Sequence, residues 1–382
     1  MKVDLAPGAI APGAVAGLAA AAEAVGFDGL WLPETQHDPF VGAALAAGAT
    51  SRLHLGTSVA IAFARSPTVL AQTAWDLAAL SGGRFELGLG TQVRAHVQRR
   101  FGMAWSEPAP RLAEWVGAIR AAWATWQDGA PFQWTSEHLD LSLMTPFFSP
   151  PPLAYTTPGD EPRIPISVAG VNVGLARLAG RLADGFHVHP FHTARYLAKV
   201  LEPALSAGAE RRPAELPRRR AERIVPVFLA PTDRPAIQEA VRRQVAFYAS
   251  TPSYRAVLAT HDRDRVGEQL SRLAATGRWA EMADLVDDEL LAQVAVMGPA
   301  DSLADTLKAP RGPCRAGRAA VAGARGARWQ PSGCPGVGTA DRHAARRLNG
   351  ALRLQKSYRH PRRSPVGCGF RRPERRYGHV ST

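Results

Sequence analysis

Short strand-like runs alternate with helix-length periodic segments through the first 230 residues. That alternation, more than any motif, restricts the chain to parallel βαβ architecture. Strand-like runs fall at 2–6, 29–33, 53–61, 84–90, 164–170, 185–189 and 224–230. Helical patterns fill the gaps at 15–25, 41–49, 67–80, 111–126, 173–182 and 193–206, the third opening with Pro67 and stopped by Gly82-Gly83. Seven strands with long helices in about 300 residues fit an α/β (β/α)₈ barrel, a TIM barrel with its eighth strand missing from the count. A doubly wound open sheet is the alternative, but no Gly-x-Gly-x-x-Gly follows the first strand.

Two stretches depart from the rhythm. Residues 128–163 carry seven prolines and little periodicity, which predicts a long loop with a short hairpin at most. Residues 234–308 read as wholly helical. Beyond Ala309 the material changes altogether. Residues 309–382 hold 17 of the 46 Lys and Arg but two of the 33 Asp and Glu, and all three cysteines. The +13 net charge therefore belongs to the tail, since 1–308 has 29 basic against 31 acidic residues. Nucleic-acid binding by the barrel is not indicated, and binding through the basic tail is kept as an alternative. A body without cysteine has no disulfide framework, and a cytoplasmic setting is the default. No run is apolar enough to span a membrane. The division expected is a barrel over 1–308 and a basic, Gly/Pro/Arg-rich, disordered tail over 309–382.

In a barrel of this kind chemistry gathers where strands end. After the second strand come Glu34 and His37, each either a ligand contact or an ordinary loop residue. Gly88 and Gly90 lie in the fourth strand, where a missing side chain serves strand packing or the approach of a planar ring. Gln92 follows, and then Arg94, His96, Arg99 and Arg100, an anion-binding patch or a solvated face. Gly170, Val171 and Asn172 close the fifth strand. His187 and His189 share one face of the sixth, with His192 beyond. No acidic cluster accompanies these histidines, so no metal site is assigned. No nucleophile elbow, phosphate-binding loop or metalloprotease motif is present, which favours a mouth that binds a cofactor.

Residues 26–31 (GFDGLW), 52–57 (RLHLGT), 80–90 (LSGGRFELGLG) and 179–185 (AGRLADG) occur in an order that resembles the luciferase-like monooxygenase superfamily. Residues 33–40 (PETQHDPF) and 188–192 (VHPFH) resemble its F420-dependent oxidoreductase branch, and the likeness covers about 1–308. The resemblance implies hydride transfer between the deazaflavin coenzyme F420 and an organic substrate. A flavin mononucleotide (FMN)-dependent monooxygenase on the same fold is the alternative. It further implies a bulge after the third strand at Ser58 and Val59, often with a non-proline cis peptide, behind the coenzyme ring. From their places at or near strand ends, Phe63, Val59 and Gly88 are expected to line one wall of the ring site with Glu34, His37 and His189 at its rim, and the resemblance implies that the coenzyme phosphate meets backbone amides at Gly170, Val171 and Asn172. Relatives place an acidic residue and a histidine after the second strand. Here Glu34 matches the first, Thr35 stands beside it, and the nearest histidine is His37. The roles implied are proton transfer for His37 and its orientation, or a ring contact, for Glu34. Where some relatives carry a glutamate after the fourth strand, this chain has Gln92. The partner implied is a small-molecule substrate; a homodimer stays open.

A barrel of this type closes with an eighth strand after a helix such as 300–308. The sequence then runs into Ala309-Pro310-Arg311-Gly312, and the strongest later candidate is the short Ala/Gly/Val piece at 319–324. The expectation is a replaced chain end, a change of reading frame near Lys308, and an open barrel that is poorly stable or inactive.

Overall fold

The computed structural model describes residues 2–155, 163–217, 220–308 and 318–322. Eight parallel strands close into a barrel: β1 (Lys2–Ala6), β2 (Gly29–Leu32), β3 (His54–Thr57), β4 (Phe85–Gly90), β5 (Ile166–Gly170), β6 (Gly185–Val188), β7 (Glu222–Pro231) and β8 (Arg318–Ala322). Each pairs with its neighbours in chain order, and β8 pairs with both β7 and β1, from Lys2 opposite Arg318 to Ala6 opposite Ala322. The barrel is therefore complete, which corrects the expectation of a missing eighth strand. The open edge expected from that absence is not formed; the expected change of reading frame, which stands also on the shift of composition, charge and cysteine use at Ala309, falls on residues outside those described. The rest of the tail, 309–317 and 323–382, lies outside the described residues.

The helices wrap the outside. α1 (Pro12–Ala24), α2 (Pro39–Ala49) and α3 (Pro67–Ser81) each begin on a proline, where the missing N–H costs nothing. Asp38 caps α2 by accepting from the Phe40 and Val41 amides, and Ser66 caps α3 through the Val69 amide. A short helix α4 (Arg94–Arg99) and the long α5 (Pro108–Asp128) follow β4, and α6 (Val173–Leu182) follows β5.

The lumen explains several residue choices. Trp31 is fully buried on β2 and packs with Ile224, Ala320 and Ala6. Its ring fills the space in front of β3, where a Cβ on Gly56 would lie 2.1 Å from it. Below it sits a polar layer. The Trp31 Nε1–H donates to Asp4 at 2.8 Å, and the Arg318 guanidinium lies 3.0 Å from the same carboxylate. His54 meets Glu86 at 3.1 Å, and Ser167 hydrogen-bonds the other Glu86 oxygen. Burial pushes the Glu86 carboxyl up, but the His54 hydrogen bond and the charges of His54, His187 and Arg318 bring it below its ordinary value.

Two further expectations change. The 53–61 run is not one strand: β3 stops at Thr57 and pairing with β4 resumes at Ala60–Ile61. The 234–308 segment is not wholly helical, because Ala295–Gly298 pairs with the upper half of β7. The described part of the 128–163 excursion leaves the C-terminus of α5 and clamps onto the outside of α3 and α5. Its hairpin (Trp134–Thr135 with Asp140–Leu141) is anchored where Glu114 accepts from the Ser136 hydroxyl and the His138 amide. Pro151 accepts from the Trp75 indole, and Tyr155 packs over Gly83. This connection runs toward the start of β5, away from the C-terminal strand ends.

Candidate active site

The C-terminal ends of β2 to β6 are neighbours in the barrel, so the residues that follow them share one rim. After β3 the peptide between Ser58 and Val59 is cis, at the position the resemblance implied. Backbone pairing with β4 is interrupted there, and the Thr57 hydroxyl takes its place. It donates to the Gly88 carbonyl at 2.6 Å and accepts the Gly88 amide at 2.9 Å. The Ser58 amide donates to the Leu32 carbonyl at 2.8 Å. Val59 seats against Gly90, where a Cβ would lie 2.4 Å from its Cγ2.

Glu34 braces this bulge from β2. Its carboxylate accepts the Ile61 amide at 2.8 Å and Arg65 at 2.7 Å, and its side chain is 7% exposed. Arg65 reaches on to Asp38 at 2.7 Å, so one guanidinium ties the bulge to the cap of α2. Glu34 is thus committed to backbone and Arg65. His37 is exposed and lines a niche with Ile10, Pro12, Thr35 and Asp38 on the α1–α2 side. The structure does not assemble the expected Glu34–His37 pair.

Two of the expected ring-site residues are buried among neighbours of their own. Phe63 is fully buried in the turn after the bulge, edge-on to Trp115 at 5.6 Å with the Arg111 guanidinium 4.5 Å from its ring centre. It faces the helix layer rather than the mouth. Gly88 is buried inside the barrel, where a Cβ would lie 1.9 Å from the Thr57 carbonyl and 3.0 Å from His187 Nε2. Its missing side chain serves strand packing.

Gln92 turns the chain through a positive φ of 58° and accepts the Val93 amide on its own side chain. Gly170 lets the first turn of α6 close on β5, since a Cβ would lie 2.6 Å from that of Leu175. Asn172 is the N-cap, but its side chain does not cap and no acidic residue occupies the first turn, so the helix start keeps its positive end open. The Val171 carbonyl accepts from the Tyr196 hydroxyl at 2.8 Å.

His189 follows β6 beside Gly170, whose carbonyl accepts its amide at 3.2 Å. Its Nδ1 accepts the Phe191 amide, which leaves the proton of the neutral ring on Nε2. Tyr248 and Tyr254 press against the ring at centroid distances of 4.8 and 4.3 Å. Burial, helped by His192, takes His189 down to about 3, so the ring is neutral at physiological pH. These tyrosines come from the helical insert between β7 and the Ala295–Gly298 strand, and His261 of that insert meets Thr193 at 2.8 Å. Sequence reasoning missed this aromatic cover, because nothing in the periodicity of 234–308 marks which helix returns to the mouth.

The profile of the luciferase-like monooxygenase family matches residues 2–313. The chain belongs to this family. An uncharacterized protein from Mycobacterium tuberculosis is 42% identical over 295 residues, covering 77% of this chain and 85% of its own. A putative coenzyme F420-dependent oxidoreductase of the same organism is 29% identical over 299 residues, covering 75% and 84%. The coenzyme F420-dependent tetrahydromethanopterin reductase of Methanopyrus kandleri superimposes with a TM-score of 0.67 at 18% identity, over 91% of this chain and 97% of that one. At that identity the likeness speaks for the fold. Among the described residues no helix is long and apolar enough to cross a membrane.

Proposed function

We propose that the protein is an F420-dependent oxidoreductase that moves a hydride between the coenzyme and a small organic substrate. The observation that carries this reading is the bulge at Ser58-Val59, held between the Glu34 brace and Gly90 on the rim of the barrel. The residues fit the coenzyme at both ends. Val59 offers an apolar shelf for a flat ring, and the uncapped start of α6 at Asn172 offers backbone donors to a phosphate. F420, when bound, supplies or accepts the hydride.

The protein's own residues then position and polarise. Glu34 and Arg65 hold the shelf and take no part in proton transfer. His189 presents a neutral Nε2–H, fixed by the Phe191 amide and the two tyrosines, as a hydrogen-bond donor to a substrate oxygen. His37, exposed and on the α2 side, has no such support. The test is a titration of the full chain with F420 and with FMN, followed by absorbance and fluorescence. F420 binding with little FMN binding is expected. The reverse preference would replace this reading with an FMN-dependent monooxygenase.

A further inference from the structure

In the insert, the helix Pro235–Ala249 buries Ile237, Val241, Val245, Ala246 and Ala249. Its opposite face belongs to charged residues, and there Glu239 pairs with Arg243 at 2.8 Å. One turn after Arg243 that face carries Phe247 instead, 49% exposed. Trp279, 52% exposed, lies against it with ring centres 6.1 Å apart. Among the described residues between β7 and Ala295, these are the two large apolar side chains left exposed. The packing of this segment rests elsewhere, on the buried Met282, Ala283 and Val286 and on Arg242, which donates to the Val286 carbonyl.

What the exposed pair has is a path to the mouth. Phe247 meets the Tyr248 ring at 5.7 Å, and Tyr248 meets His189 at 4.8 Å. Trp279, Phe247, Tyr248 and His189 thus run ring to ring from solvent to the end of β6. The contact of His261 with Thr193 ties the insert to the loop after β6, which fixes the inner end of the run. Its outer end is bordered by two exposed ion pairs, Arg278–Glu281 and Arg243–Glu239. An apolar strip with a charged border is the pattern of a surface that takes a ligand.

We propose that this strip seats an extended apolar substituent of the substrate, whose reacting group lies at His189 and whose chain or ring system is laid outward over Tyr248, Phe247 and Trp279. Continuity with the mouth selects this occupant. A patch for a second protein has no need to reach His189, whereas a substrate arm leaving His189 along these rings stays on apolar surface. The proposal rests on the active-site reading above for its inner end, while the strip is tested apart from the coenzyme.

Hexan-2-one, octan-2-one and decan-2-one are titrated by calorimetry into the full chain, as wild type and as F247S/W279S, first without coenzyme and then with F420. Both substituted side chains are half exposed, and melting temperatures check that the fold is kept; W279S alone carries the test should the double variant melt low. W279F, which keeps a ring, is a further comparison. Each methylene laid on the strip tightens wild-type binding by up to about fourfold. Hexan-2-one should bind both proteins alike, decan-2-one about tenfold more weakly to F247S/W279S, and W279F should keep most of the gain with length. The same length dependence in both proteins, a loss already present with hexan-2-one, or no ketone binding to the wild type overturns the proposal. So does a wild-type dimer, seen by sedimentation, that F247S/W279S dissociates while ketone binding is unaltered. A failure of F420 to bind would sink the oxidoreductase reading, and the ketone series without coenzyme would still decide the strip.

Discussion

Removing the Glu34 side chain separates a bracing role from a chemical one. In Glu34→Ala the Ile61 amide loses its acceptor and Arg65 keeps only Asp38, which is 42% exposed on its side chain. Hydrogen bonds to a charged group contribute about 1.5–3 kcal/mol each. Arg65 is 18% exposed and retains one partner, so its share is discounted toward the surface range. The expected loss of stability is roughly 2–4 kcal/mol, read as a lower urea midpoint, together with weaker F420 binding as the bulge loosens. Glu34→Gln keeps an oxygen for the Ile61 amide and should lose about 1 kcal/mol, with coenzyme binding largely retained. A Glu34→Ala chain within about 0.5 kcal/mol of wild type would refute the brace. Abolished turnover in Glu34→Gln, with stability and binding intact, would return Glu34 to the chemistry.

Stability should fall as pH drops from 7 to 5. His187 is held at about 4, His189 at about 3 and His192 at about 4, chiefly by burial, so between these values and 6.5 the unfolded chain binds protons that the folded chain does not. Each histidine then contributes a slope of up to about 1.4 kcal/mol per pH unit, and a melting temperature unchanged from pH 7 to 5 would contradict these burials. Gly88→Ala places a Cβ against the rigid Thr57 carbonyl and should cost upwards of about 3 kcal/mol or leave the chain insoluble; normal solubility and melting would show that β3 can yield. Arg318→Met leaves Asp4 buried beside Trp31 without its cation and should cost about 3–5 kcal/mol, while adding Asp4→Asn should restore part of that in the same denaturation assay. His189→Gln should lower turnover about 10²-fold with coenzyme affinity kept, whereas His37→Ala should leave both near wild type.

The barrel was legible because period-2 and period-3.6 patterns alternate cleanly up to Pro231. β8 was not, for a physical reason: Trp31 fills the lumen, so the inward position opposite must be as small as Ala320. The position below it carries Arg318 for Asp4. A strand built to those demands does not read as an apolar run. The bulge at Ser58-Val59 was legible through the family likeness, since its location follows from the Gly56-Thr57 pair. Side-chain direction in the loops was not. The turn after Ile61 swings Phe63 outward to Trp115, and the cap at Asp38 leaves His37 on the outer side. Neither follows from spacing, because both depend on which neighbour claims the backbone.

The partner of β1 lies more than 300 residues downstream, in the five residues of β8. During synthesis at roughly 5–20 residues per second, the first strand emerges and then waits tens of seconds for its second neighbour. Until Arg318 arrives, Asp4 faces the lumen without its cation and both β1 and β7 offer bare edges to other nascent chains. A β1 edge left bare during synthesis is a template for pairing with another chain. Chaperone dependence during translation should therefore exceed anything its folded stability suggests.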